Sequence, residues 1–248
     1  MKLLARLTLA LTLQFSTLAM MAQTAPVKGE VPLDNWGVIG DKAGKWTPAQ
    51  AEGRVTFSGE GFGDKGKLPA AFFPKTELKQ GQTLELSAKI FFTGVSGTGN
   101  FRFGLFLKRS KDHARGWLGY CAFAGLEKNF PNGGLYARMQ GNDTTFDSVD
   151  ESNPEAAPRL LSNAKGAIQN IRNGAYHLTM SLKRTGKEIE CTARLVSEGE
   201  AAIPAVEYAA IDSQPATYAF DTLGFSTRQV LSVDVLEFSD VKLSLKGD

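Results

Sequence analysis

The feature that most constrains this 248-residue sequence is a two-residue period in its central stretch, FRFGLFLK, which returns in LYARM. Apolar side chains alternate there with other residues, and this alternation is typical of a strand with one buried face. The apolar positions are Phe101, Phe103, Leu105, Leu107, Leu135, Ala137 and Met139. The centre of the chain therefore predicts β-structure with one face directed to a core.

Other segments repeat the same alternation, over residues 84–90, 178–182 and 189–195. The last two predict a hairpin whose turn contains Thr185 and Gly186. Helical periodicity is weak throughout, and only RLLSNAKGAIQNIRN, residues 159–173, predicts a short surface helix or a loop. The chain is thus expected to be all-β, an antiparallel jelly-roll β-sandwich forming a single domain over residues 23–248.

The first 22 residues are expected to be an export signal, because Lys2 and Arg6 precede an apolar run that ends in small residues. Without them, 26 basic residues face 26 acidic ones. This balance argues against nucleic acid as a partner, since nucleic-acid binders show a basic excess. We expect a secreted or periplasmic protein that is not held in a membrane once the signal is removed, and the sequence predicts no oligomeric state.

Two kinds of side chain raise the question of metals or redox chemistry. Cys121 and Cys191 each lie in a strand-like run, with no CxxC spacing, so we interpret them as structural, either as buried thiols or as a disulfide. Asp143, Asp147 and Asp150 carry oxygen ligands of the kind that calcium prefers, but their spacing matches no EF-hand loop. The sequence therefore favours an exposed loop and no cofactor, with calcium as the alternative.

Aromatic and cationic side chains occupy the opposite face of the central strands, where polar residues would be expected. Rings and planar guanidinium groups suit ligands that have flat apolar faces and many polar groups, as sugars do. Gly104 would leave a gap in which a sugar could approach the backbone. The alternative is that the rings cover apolar surface while the arginines pair with acidic neighbours. The candidate ligand-binding residues are Arg102, Phe106, Tyr120, Tyr136 and Arg138, of which Arg102, Tyr120 and Arg138 are expected side by side.

The order of several segments resembles that of secreted bacterial jelly-roll domains in the concanavalin A-like lectin/glucanase superfamily, which includes laminin-G-like domains. The segments are GQTLELSAKI, FRFGLF, WLGY, GAYHLTMSLKRTGKEI, DTLGFSTR and LEFSDVKLSL. This resemblance implies a sandwich of two antiparallel sheets, one of them concave, with glycan binding or cleavage on the concave face. Fold alone does not decide between the two activities.

The sequence lacks the motifs that mark enzymes of this superfamily. It contains no Glu-x-Asp-x-x-Glu run of the laminarinase type, which supplies paired carboxylates for glycoside hydrolysis. The favoured function is therefore a non-catalytic carbohydrate-binding domain that recognises a polysaccharide on its concave face.

Two alternatives remain open at this point. One is a polysaccharide lyase acting on a uronic-acid polymer. Arg102 or Arg138 would neutralise the substrate carboxylate, and His177, with Tyr120 or Tyr136, would move protons. Against it, the chain lacks the Gln-x-His and Arg-x-Glu-x-Arg strands of alginate lyases. The other is a structural or adhesion domain of the cell envelope, because aromatic and arginine side chains are also common at protein interfaces.

Overall fold

The protein folds as a sandwich of two antiparallel β-sheets. The computed structural model describes residues 29–39, 48–62, 68–108, 117–125, 133–138, 158–163, 170–199, 204–229 and 231–247. The strands are β1 (Glu30–Val31), β2 (Asp34–Ile39), β3 (Ala49–Ala51), β4 (Arg54–Phe62), β5 (Leu68–Glu77), β6 (Thr83–Thr93), β7 (Gly99–Lys108), β8 (Trp117–Ala124), β9 (Gly134–Arg138), β10 (Arg159–Ser162), β11 (Gly174–Thr185), β12 (Glu188–Ser197), β13 (Pro204–Asp212), β14 (Ala219–Gln229) and β15 (Val233–Lys246).

One sheet has eight strands in the order β13-β12-β11-β6-β15-β4-β3, with β1 paired to β15. The other has seven strands in the order β10-β9-β8-β7-β14-β5-β2. All named pairs are antiparallel, and the described residues contain no helix, so the predicted all-β sandwich is confirmed. Within the described ranges, no helix is long and apolar enough to cross a membrane.

The eight-stranded sheet follows the sequence pattern closely. Along β6, residues from Leu84 to Phe92 at even positions are buried and those between them are half-buried, as period-2 alternation predicts for a sheet with one face in the core. The β11–β12 hairpin is also confirmed, with Leu182 opposite Cys191 in the core. Its turn lies one residue later than predicted, because Thr185 still pairs with Glu188.

The main core lies between the two sheets and is rich in phenylalanine. Phe225 of β14 lies 4.3 Å from Phe238 of β15, measured between ring centroids, and 5.9 Å from Phe101 of β7. Phe101 also meets Phe92 of β6 edge to face at 5.1 Å. Such offset and edge-on pairs are the favoured arrangements of aromatic rings. The predicted inward positions that are fully buried in this core are Phe101, Phe103, Leu105, Leu135 and Ala137.

The seven-stranded sheet differs from the eight-stranded sheet because the face that points away from the main core is buried as well. Phe106 and Trp117 pack edge to face at 5.9 Å, and Phe123 and Tyr136 lie 4.6 Å apart between centroids. These residues form a second apolar cluster on the face that points away from the main core, and it also contains Cys121. Burial on both faces explains why β8 is apolar almost throughout instead of alternating.

Cys121 and Cys191 are buried free thiols in different layers, so the first of the two alternatives is confirmed and a disulfide between them is excluded. Two expectations are corrected by this arrangement. Gly104 leaves no gap for a ligand, because a Cβ added there would lie 2.1 Å from the carbonyl oxygen of Tyr120 and 2.4 Å from the Phe106 ring. The predicted helix or loop over 159–173 is wrong for Arg159–Ser162, which pair with β9.

Candidate functional site

Four of the five predicted binding residues do share one face of the seven-stranded sheet, but that face is closed. The side chains of Arg102 and Phe106 on β7 and of Tyr136 and Arg138 on β9 point away from the main core, as predicted. Arg138 is 1% exposed and Phe106 is fully buried. The prediction of an open recognition surface at these residues is therefore wrong, because the face is a second core.

Arg102 illustrates what these side chains do instead. Its Nε donates a hydrogen bond of 2.6 Å to Asn100 Oδ1, and its guanidinium carbon lies 3.8 Å from the centroid of the Phe123 ring. Arg102 is 3% exposed. A buried guanidinium that stacks on an aromatic ring and donates a hydrogen bond to a neighbouring side chain stabilises the packing of the interior.

Tyr120 lies on the opposite face from the others. It pairs in register with Leu105, whose side chain points into the main core, and Tyr120 points there too. Cys121 and Phe123, on the same strand, are buried in the second cluster. Adjacent residues of a strand alternate faces, so burial of Cys121 there sends Tyr120 inward. The prediction that Arg102, Tyr120 and Arg138 lie side by side is wrong.

The lyase arrangement also fails geometrically. His177 is exposed on the outer face of the eight-stranded sheet, and the buried residue that follows it, Leu178, belongs to the main core. The predicted lyase residues therefore point three ways, with His177 out from one sheet, Tyr120 into the core and Arg102 out from the other sheet. The lyase hypothesis built on Arg102, Arg138, His177 and Tyr120 is not supported, because these groups cannot meet one substrate.

Tyr120 belongs to a buried polar cluster at the edge where β13 approaches β10. Its hydroxyl donates to Asp212 Oδ2 at 2.9 Å, and the Gln214 backbone N–H donates to Asp212 Oδ1 at 2.8 Å. Arg159 of β10 forms an ion pair with the same carboxylate. The Asp212 side chain is fully buried, so these partners replace its hydration, as a buried charge requires. Burial, together with the nearby Cys191 and Asp212, raises the pKa of Tyr120 far above its ordinary range.

The outer face of the eight-stranded sheet is open, and one groove on it combines an aromatic ring with charges of both signs. The groove has a volume of about 500 Å³. It is lined by Phe91 and Lys89 of β6, by Arg54 of β4, and by Asp240 and Lys242 of β15. Phe91 is half-buried, and the Nζ of Lys89 lies 5.1 Å from its ring centroid.

The groove exists because β15 is irregular at this point. Ser239 pairs with Lys89 and Lys242 pairs with Ser87, so β15 carries one extra residue relative to β6. Asp240 within this bulge has a φ of 49°, a left-handed conformation that aspartate tolerates better than most residues. A bulge of this kind bends its strand and redirects side chains.

The partner of β15 also changes along its length. Pairing with β4 ends at Phe238, and pairing with β1 begins at Leu243. Between these points one edge of β15 has no strand beside it in the described part of the chain. The gap lies next to the turn that joins β3 to β4, at Glu52 and Gly53, and it deepens the groove.

Charges around the ring are held in place by neighbours. Lys89 contacts Glu198 Oε2 at 2.9 Å, and His177 Nε2 lies 2.5 Å from Glu198 Oε1. The hydrogen bond from Lys89, with the charges of Lys89 and His177, keeps the pKa of Glu198 below its usual range. On the other side, Arg54 lies 3.4 Å from Glu237. The cation above the Phe91 ring is thus positioned by a carboxylate outside the groove.

Sequence reasoning missed this groove although part of its signal is visible. The outward positions of β6 are occupied by Glu85, Ser87, Lys89 and Phe91, so an aromatic ring follows three polar residues on the exposed face. Phe91 stands between buried Ile90 and Phe92, and a run of three apolar residues hides the alternation. The other contributors are distant in sequence and could not be connected to it.

Some predicted positions lie outside the described residues. They are residues 1–22, Met139, Asp143, Asp147 and Asp150. Among the residues that the structure does describe, no group of three or more His, Cys, Asp or Glu side chains is arranged to hold a metal ion. The calcium alternative at Asp143, Asp147 and Asp150 stays a prediction.

No family model and no curated protein match the sequence. Solved structures with a similar strand arrangement include the Emp46p carbohydrate recognition domain, with 10% identity, coverage of 85% of this chain and 87% of that chain, and a TM-score of 0.48. A legume lectin-like domain from Entamoeba histolytica has 16% identity, coverages of 86% and 90%, and a TM-score of 0.48. Lectin II from Ulex europaeus has 9% identity, coverages of 86% and 94%, and a TM-score of 0.49. These similarities concern the lectin-like arrangement of strands, and they transfer neither a ligand nor a residue role to this chain.

Proposed function

We propose that this protein is a non-catalytic carbohydrate-binding domain, and that it binds a polysaccharide in the groove around Phe91 on the outer face of the eight-stranded sheet. The observation that carries the proposal is the presence of a half-buried aromatic ring in an open groove with Arg54, Lys89 and Asp240 around it. Several similar solved structures are described as lectins, which agrees with the proposal without carrying it.

The chemistry of the groove suits a sugar. The C–H groups on one face of a pyranose can pack on the Phe91 ring, which is an apolar surface that water solvates poorly. Hydroxyl groups at the ring edge can donate to the Asp240 carboxylate and accept from Arg54 or Lys89, and hydrogen bonds to charged groups are the stronger kind. The groove volume of about 500 Å³ lies within the range of small-ligand sites.

Export fits the same proposal. Residues 1–22 have the composition of a signal peptide, and polysaccharides are accessible to a protein outside the cytoplasm. We propose a secreted or periplasmic location on this basis.

The direct test is to replace Phe91 by alanine and to measure glycan binding by array and by titration calorimetry. If a sugar covers about 50 Å² of the ring, the lost burial at about 25 cal/mol per Å² is about 1.3 kcal/mol. The dissociation constant should therefore rise about ten-fold. The fold should be unaffected, because Phe91 points away from the main core.

Ile211→Ala provides the matched control. Ile211 is an apolar side chain on the same face of the same sheet, 62% exposed, and it lies on β13 at the far edge. Its removal should leave glycan binding unchanged. Equal effects of Phe91→Ala and Ile211→Ala, or no glycan bound by the unsubstituted protein, would refute the proposal.

A further inference from the structure

A second groove continues the first along β15. It has a volume of about 360 Å³ and is lined by β1, by Glu85 and Ser87 of β6, and by β15 from Lys242 to Lys246. Glu30 and Lys242 line both grooves, so the two adjoin at these side chains. From Asp240 to Lys246 the strand runs about 20 Å at about 3.3 Å per residue. The combined groove is longer than one or two sugar rings.

The charges of this combined groove that have no ion-pair partner are mainly negative. Lys246 lies 2.6 Å from Glu85, while Lys89 and Arg54 are paired with carboxylates outside the groove. Among the described residues, four charged groups of the groove have neither an ion pair nor a side-chain hydrogen bond. They are Glu30, Glu52, Asp240 and Lys242.

Three unpaired carboxylates beside one unpaired ammonium disfavour an anionic ligand. A uronic-acid polymer carries one carboxylate on every sugar, and each would lie near a like charge, which costs free energy on binding. The hydroxyl groups of neutral sugars can instead donate to ionised carboxylates in short, charge-assisted hydrogen bonds.

We infer that the ligand is an internal segment of a linear, uncharged polysaccharide that lies along β15 and occupies both grooves. The inference rests on the proposed function, because it takes the Phe91 groove as the first binding position. It adds the ligand class and a second position at Glu85 and Ser87.

The first experiment measures how affinity depends on chain length. Linear glucose, xylose, mannose and galactose hexasaccharides are titrated against the purified protein, and the tightest is compared with its own disaccharide and tetrasaccharide. A second position predicts that the hexasaccharide binds about ten-fold tighter than the disaccharide, since contacts on one chain act at high effective concentration.

Ser87→Leu separates the two positions. Ser87 lines only the second groove, so a larger side chain there should reduce hexasaccharide affinity to that of the disaccharide and leave disaccharide affinity unchanged. Thr192→Leu is the matched control, because Thr192 is exposed on the same face two strands away on β12. A hexasaccharide that binds no tighter than the disaccharide, while both depend on Phe91, refutes the second position and leaves the proposed function standing.

Ionic strength tests the charge argument. Hexamers of galacturonic and mannuronic acid are titrated at low and at high salt beside the neutral hexasaccharide. Repulsion by unpaired carboxylates predicts weaker binding of the acidic hexamers at low salt and a smaller difference at high salt, because exposed charges are screened. Tighter binding of an acidic hexamer that still depends on Phe91 overturns the ligand class alone, whereas glycan binding that ignores Phe91 overturns the proposed function as well.

Discussion

Replacing Tyr120 by phenylalanine should lower the free energy of unfolding by about 2 kcal/mol without changing glycan binding. The substitution removes one of three partners of the buried Asp212 carboxylate, the hydroxyl that donates at 2.9 Å. Hydrogen bonds to charged groups contribute about 1.5–3 kcal/mol. The lower half of that range applies, because Arg159 and the Gln214 N–H still hold the carboxylate.

The phenylalanine ring keeps the packing of Tyr120, whose centroid lies 6.2 Å from that of Phe220. The loss therefore measures the hydrogen bond and not a cavity. For a domain of this size, about 1 kcal/mol corresponds to about 2–4 °C in melting temperature. Tyr120→Phe should thus melt about 4–8 °C lower, with the same decrease seen in urea titrations followed by tryptophan fluorescence.

Arg159→Met should have a larger effect, about 3 kcal/mol. Removing one partner of a buried ion pair leaves an uncompensated charge, at a cost of about 3–5 kcal/mol. Arg159 is 32% exposed, so water screens part of the interaction and the low end applies. The control is Arg194→Met, which breaks an ion pair with Glu207 at 3.6 Å between two exposed side chains and should cost less than about 1 kcal/mol.

The reasoning fails if Tyr120→Phe changes the unfolding free energy by less than about 0.5 kcal/mol, a value typical of surface substitutions. It also fails if Arg159→Met and Arg194→Met cost the same. A loss of glycan binding by the folded Tyr120→Phe protein would instead return Tyr120 to the binding site, against its position in the main core.

Two further predictions concern stability. Burial raises the pKa values of Tyr120, Tyr208 and Cys191, so the folded state keeps protons that the unfolded chain loses. Stability should be complete below about pH 8 and decrease as the pH rises further, first through Cys191 and then through the tyrosines, by up to about 1.4 kcal/mol per pH unit for each group. Urea titrations at pH 8 to 11 measure this, and a flat profile would contradict it. Arg102→Ala should destabilise the fold and leave glycan binding by the folded fraction unchanged, and lysine should not restore stability, since it lacks the plane that stacks on Phe123. A specific binding defect in a stable Arg102→Ala protein would refute this second expectation.

The sequence predicted strands best where one face of the sheet is exposed to solvent. In β6 and in the β11–β12 hairpin, alternation assigns each side chain to a face, and a shift of one residue would expose the whole apolar set. Leu86 and Leu182 are buried as their positions require. In these strands the local pattern agrees with the burial in the folded protein, so the sequence alone assigns each side chain to its face.

The same reasoning failed at β8 because both faces of that strand are buried. An apolar run such as WLGYCAFA carries no alternation, so it does not reveal which face a residue occupies. Only the register with β7, Leu105 opposite Tyr120, assigns the faces. For β7 the sequence assigned the side chains to the correct faces. Arg102 and Phe106 show, however, that the face opposite the main core can itself be buried in a second core.

The groove depends on relations that a linear pattern does not contain. Its ring lies on β6, its bulge on β15, and its open edge results from the exchange of β4 for β1 as the partner of β15. A bulge at Asp240 adds a residue that the ladder does not need, in a left-handed conformation that is strained for most side chains. Phe91 itself keeps regular cross-strand neighbours, Glu237 on β15 and Ala175 on β11, and the bulge opens the space further along the strand, beyond Ser239. The bulge has a packing role, because Val241 within it lies against the main core. Under the proposed function it has a second role, since it also leaves open space beside the half-buried Phe91 ring, as bulges that redirect side chains next to binding sites do.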